Sequence, residues 1–189
     1  MKPEEIIYLV GQIVGIVGFL TSLIRYFMKK KEGILKLSIF VYVIYVVHYF
    51  MIGAIAGSYA LMLSLIRDLY LYQREKHHKK HRHRHLYNNW LVFVLFFATY
   101  IIMMSININT PLNILPLLSG CFYLFFEWFT TNKTTLKIAS AVSNIPWVFY
   151  DIISLSVAGM ISNTISFIVA FVGISKDKKL RKNVVKHNH

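Results

Sequence analysis

One cysteine, four prolines and eight acidic residues are all that 189 positions hold of these types, and each scarcity closes off some chemistry. A lone Cys121 leaves no disulfide framework and no paired-thiolate metal site, so a small buried thiol is its expected role. Charged residues make up 15% of the chain, against about a quarter in a soluble domain. They bunch into short runs, leaving long stretches with none, such as Leu37 to Ile66. No nucleophile elbow, phosphate-cradling glycine loop, zincin motif or pair of mid-span carboxylates occurs, which argues against an enzyme, and no cofactor is called for. The opening also lacks the basic start of a cleavable signal. Glu4 and Glu5 precede an apolar run, Ile6 to Met28, that is too long for one, and no small-residue cleavage site follows.

What is abundant is hydrocarbon: 56% of residues are hydrophobic and 15% aromatic. Long uncharged segments separated by charged connections are what a bilayer imposes. Backbone groups there must satisfy one another, and a charge at mid-depth costs several kcal/mol. The expected class is therefore an all-α polytopic membrane protein with seven spans. Ile6–Phe27 is the first span, followed by a tight pair, Leu35–Ile52 and Ser58–Leu71, turning at Gly53 and Gly57. Trp90–Met104 is the fourth, with Trp90 and Tyr100 suited to the interface belts. Leu112–Phe129 is the fifth, with Pro111 at its start where a missing amide donor does no harm. Leu136–Ile153 and Ala158–Ile174 form a second tight pair.

The cations sort by side. Connections after spans one, three, five and seven receive Lys29–Lys31 and Lys36, the run Arg74 to Arg84, Lys133 and Lys137, and the tail from Lys176. The other side receives only Lys2. Short basic loops stay in the cytoplasm, so the N-terminus is expected outside and the C-terminus inside the plasma membrane. The net charge of +13 thus reads as a topology signal in contact with anionic lipid headgroups. It does not call for nucleic acid, since no soluble domain is present to dock on one.

Shifting the chain by 102 residues aligns it on itself without gaps. Gly18 falls on Gly120, Phe27 on Phe129 and Lys31 on Lys133. Ala56-Gly57 falls on Ala158-Gly159, and Ser64 on Ser166. Three spans are an odd number, so one intervening helix is needed to keep two triples parallel. The expected organisation is a first three-helix repeat (1–72), a basic His-rich cytoplasmic loop (73–86) and a linker transmembrane helix (87–106). A second three-helix repeat (107–175) and a basic cytoplasmic tail (176–189) complete it. Parallel repeats of this kind place a pseudo-two-fold axis along the membrane normal and a solute site near the midplane.

The layout resembles that of the SWEET sugar facilitators and the wider PQ-loop group. The local motifs resemble the YgjV family of bacterial inner-membrane proteins. They are Gly15-Ile-Val-Gly-Phe19, His48-Tyr-Phe-Met-Ile-Gly-Ala54 followed by Ile66-Arg67, Leu115-Pro116, and Trp147 with Tyr150. The first resemblance implies passive movement of a small, sugar-like solute; the second implies an inner-membrane location and no particular activity. Against the SWEET proline pattern, Pro146 has Ile44 as its repeat mate and no glutamine follows it.

Candidate solute-binding residues are Tyr45, His48, Asn144, Trp147, Tyr150, Asn163 and Ser166. Trp147 and Tyr150 share a helix face, as do their mates Tyr45 and His48, and each set either lines a pocket or, as such groups more often do, packs and bonds helices together. Asn163 is singled out because, by resemblance, SWEET-like pockets use an asparagine in this helix. Pro146 is a candidate hinge, because an internal proline removes a helical hydrogen bond. Arg25, Arg67, Asp68, Glu127 and Asp151 are expected to snorkel towards the headgroups. His77, His78, His81, His83 and His85 are weak metal candidates, since the interleaved cations repel a metal ion. Two readings stand beside the facilitator: a membrane scaffold or regulatory subunit whose basic segments bind acidic partners, and a metal-responsive protein using the histidine loop. The chain is open to forming oligomers.

Overall fold

A computed structural model describes residues 2–25, 28, 31–80, 90–106, 110–130, 133–169 and 172. Among them are seven helices: α1 (Pro3–Arg25), α2 (Lys31–Met51), α3 (Ile55–Lys80), α4 (Trp90–Ile106), α5 (Pro111–Phe129), α6 (Lys133–Ile153) and α7 (Val157–Val169). The described chain has no strand.

By length and composition α1, α2 and α5 can each cross a membrane unaided. The 17 residues of α4 rise only about 25 Å, a little short of a hydrocarbon core of about 30 Å. Arg67, Asp68 and a basic end dilute α3, which nonetheless runs 26 residues. It continues through Lys80, so the start of the basic segment extends the helix instead of forming the expected loop. The rest of that segment and the tail fall outside the described residues.

The radial distribution of side chains is that of a bundle in lipid. Long apolar side chains point outward, with Phe50, Leu91 and Ile106 about as exposed as any. The interior instead collects His48, Arg67, Asp68, Glu127, Asp151 and a series of serines. Only a solvent of hydrocarbon rewards that arrangement, because apolar surface there has no water to escape and polar groups must find one another.

Helix α2 packs on α1 and α3, and α5 packs on α3, α4 and α6. Small residues permit the closest approaches. A Cβ on Gly120 would stand 2.6 Å from the Tyr100 ring, so the missing side chain lets the tyrosine of α4 press directly on α5. Tyr100 is fully buried there and shares a hydrogen bond of 3.1 Å with Ser64. The expected interface role for Tyr100 is thereby replaced by a packing role, while Trp90 is exposed. Cys121 is a buried free thiol.

The two tight turns repeat each other's backbone. Gly53 has φ +76° and Leu155, 102 residues later, φ +54°. Ala54 N–H bonds Tyr49 C=O at 2.8 Å, and Ser156 N–H bonds Asp151 C=O at 2.9 Å. Ile52 N–H to His48 C=O is matched by Ser154 N–H to Tyr150 C=O. In both, a left-handed residue closes the helix so that its last carbonyls are satisfied. Glycine occupies that position freely, and leucine does so under strain. The strained Leu155 is held by α1: Tyr8 Oη and Gln12 Nε2 both donate to its carbonyl, at 2.7 and 3.0 Å.

Candidate functional site

A cavity of about 90 Å³ lies inside the bundle, room for several waters or one small molecule. Its wall is built of small hydroxyls and aromatic rings, which suits hydrogen bonding to one small polar molecule. Lining positions fall into pairs 102 residues apart: Val41 and Ser143, Tyr42 and Asn144, Tyr45 and Trp147, Leu61 and Asn163, Ser64 and Ser166. α2 and α3 thus contribute the same positions as α6 and α7. The cavity lies where the two halves of the chain meet.

Of the candidate residues, Tyr45, Asn144, Trp147, Asn163 and Ser166 line this space. His48 and Tyr150 do not; both are buried in contacts between helices. His48 Nδ1 is 2.7 Å from the Gly11 carbonyl, which can only accept, so that nitrogen carries the proton. Its Nε2 then accepts from Ser156 Oγ at 2.8 Å, and Ser156 Oγ in turn accepts from Gly159 N–H at 3.2 Å. The ring ties α1 and α2 to the start of α7 with every polar atom used. Tyr150 Oη accepts from Gly57 N–H at 2.9 Å, holding α6 to α3. Pro146 lies inside α6, which stays helical from Lys133 to Ile153. One turn earlier, Ser119 Oγ donates to Ser143 C=O at 2.5 Å, adding a bond from α5 beside the proline.

Beyond those candidates, the structure brings two charged clusters into the same region. Arg67 lines the cavity and is 1% exposed. Its Nε and Nη2 donate to Asp68 Oδ1 at 2.9 and 2.7 Å, and Nε stands 3.0 Å from Glu127 Oε2. Its Cζ lies 5.2 Å from the centre of the Tyr123 ring. Asp151 accepts from Tyr49 Oη at 2.5 Å and from Asn163 Nδ2 at 2.7 Å. Tyr49 and Asp151 are themselves 102 residues apart, so these equivalent positions touch. Arg67, Asp68, Glu127 and Asp151 therefore do not snorkel. Helix rotation turns them inward, where partners within 3.0 Å replace the headgroups. The Arg25 side chain lies outside the described residues.

Sequence reasoning missed much of the cavity wall, including Tyr42, Ser64 and Ser143, and above all Arg67 and Tyr49. A guanidinium within a long apolar segment is a signal in its own right. The shift of 102 that joins Tyr49 to Asp151 was a second signal. Among the described residues no group of three or more His, Cys, Asp or Glu side chains is placed to hold a metal ion. The five loop histidines lie outside the residues whose side chains are described.

A family model of bacterial inner membrane proteins, Imp-YgjV, matches residues 9–181. Neither a curated protein nor a solved structure matches the chain.

Proposed function

The chain belongs to the Imp-YgjV family of bacterial inner membrane proteins, and from that premise we propose that it is a facilitator passing a small polar solute through the central cavity. The reading includes two parallel three-helix repeats, residues 1–72 and 107–175, with α4 as linker, in a SWEET-like, PQ-loop-like layout. It also has the N-terminus outside, the C-terminus and basic segments in the cytoplasm, and anionic headgroups against those segments.

The observation that carries it is the pairing of lining positions across the two halves. A site shared by equivalent positions can be opened from either side by rocking one half on the other, which is how repeat-built transporters work. Solid packing would serve a scaffold better, and a polar void within lipid is costly to keep. Tyr45, Trp147, Asn144, Asn163 and Ser166 are the contacts that a solute meets. Pro146 gives α6 a place to bend, and His48 and Tyr150 hold the moving helices together at one end.

The test is solute flux in proteoliposomes, read by light scattering after mixing with glycerol, xylose or acetamide. Saturable flux above that of protein-free vesicles is expected for at least one of them. Flux equal to the protein-free control for all three removes the transport reading.

A further inference from the structure

We propose that the central cavity selects an uncharged solute presenting carbonyl or hydroxyl oxygens, held by Arg67 Nη1 and Asn144 Nδ2. The proposal rests on the cavity identified above as a solute site and adds the chemistry of what it takes.

Arg67 and Asn144 are 1% and 8% exposed, and both line the cavity. Arg67 Nη1 and Asn144 Nδ2 are buried and have no hydrogen-bond partner in the protein. Both atoms are donors. A buried donor without an acceptor carries a desolvation penalty that a bound oxygen removes. Arg67 cannot turn away to find one, because Asp68 and Glu127 hold its Nε and Nη2. The guanidinium is planar, so fixing those two nitrogens fixes the direction of the third.

Charge then decides what kind of oxygen. Arg67 shares its single positive charge with two carboxylates, Asp68 and Glu127, and Asp151 stands behind Tyr49 and Asn163 in the same interior. An anion would add negative charge where carboxylates already outnumber the cation, in surroundings where little solvent screens it. A cation such as methylammonium carries only donors and would offer these two N–H groups no acceptor. A neutral amide, urea-like or polyol group satisfies both donors at no charge cost. The hydroxyl of Ser166 on the same wall suits a remaining polar atom of such a molecule.

Acetamide and acetate have nearly the same shape and differ in charge, so they separate the possibilities. Equilibrium binding of radiolabelled acetamide, acetate and methylammonium is measured on the purified full chain in detergent. Saturable acetamide binding below about 100 mM is expected, as befits a ligand of few atoms, with acetate at least about tenfold weaker. Asn144→Leu lowers acetamide binding about tenfold, the worth of one hydrogen bond, whereas Asn144→Gln keeps a donor and restores most of it. Arg67→Lys keeps the charge and loses the fixed fork, and it is expected to weaken acetamide more than it weakens thermal stability. Preference for acetate or methylammonium overturns the proposal, as does the absence of saturable acetamide binding. Acetamide binding without flux leaves this inference standing while removing transport, so the two failures are distinguishable.

Discussion

Replacing Arg67 with methionine is the most informative single change for the physics of the bundle. The substitution keeps most of the side-chain length and removes the cation from between Asp68 and Glu127. Three nitrogen–oxygen contacts of 2.7 to 3.0 Å disappear, and two carboxylates are left in a buried site. Removing one member of a buried ion pair costs about 3–5 kcal/mol, because the remaining charge keeps its desolvation penalty and loses its compensation. Two stranded carboxylates put Arg67→Met at the upper end of that range. Replacing all three charges, as Arg67→Met with Asp68→Leu and Glu127→Leu, removes the penalty along with the attraction, and stability returns to within about 2 kcal/mol of the parent. The single and triple variants are therefore strongly non-additive, as expected for groups in direct contact. Reversible unfolding in mixed micelles, followed by tryptophan emission, measures both. Near-parental stability of Arg67→Met would show that the guanidinium reaches the headgroups, and the buried cluster would have to be abandoned.

Two further outcomes follow from local geometry. Leu155 sits at φ +54°, where leucine is strained and glycine is not, so Leu155→Gly is expected to stabilise the fold by up to about 1 kcal/mol in the same unfolding assay. A loss of stability there would mean that its side chain contributes more than its backbone costs. Gly120→Ala places a methyl 2.6 to 2.8 Å from the buried Tyr100 ring and should cost about 1–3 kcal/mol, partly recovered by Tyr100→Leu. An unchanged midpoint would mean that Tyr100 does not press on Gly120.

Much of this architecture was legible in the residues. Apolar runs bounded by charges marked all seven helices, and Pro111 marked the first turn of α5. Gly53 and Gly57 located the first tight turn. Its counterpart at Leu155 carries no glycine signal and emerges only through the shift of 102. What periodicity leaves open is rotation. Tyr45, His48 and Tyr49 lie within one turn of α2, yet Tyr45 and Tyr49 border the cavity while His48 faces Gly11 and Ser156. A rotation of one residue would have exchanged those roles. Arg67 and Glu127 were misplaced for a related reason. Their nearness to span ends suggested headgroups, and the sequence does not display the inter-helix approach that brings them within 3.0 Å. Asp151 was misassigned in the same way.

Under the proposed function a solute crosses where the two halves of the chain meet. Ser64 and Ser166 are equivalent positions that both border that space, one on α3 and one on α7. The decisive measurement is acetamide flux in proteoliposomes carrying Ser64→Trp or Ser166→Trp, with folding verified for each. If the passage is shared, either indole fills it and both variants fall to the protein-free rate. Parental flux in both folded variants would contradict the shared path.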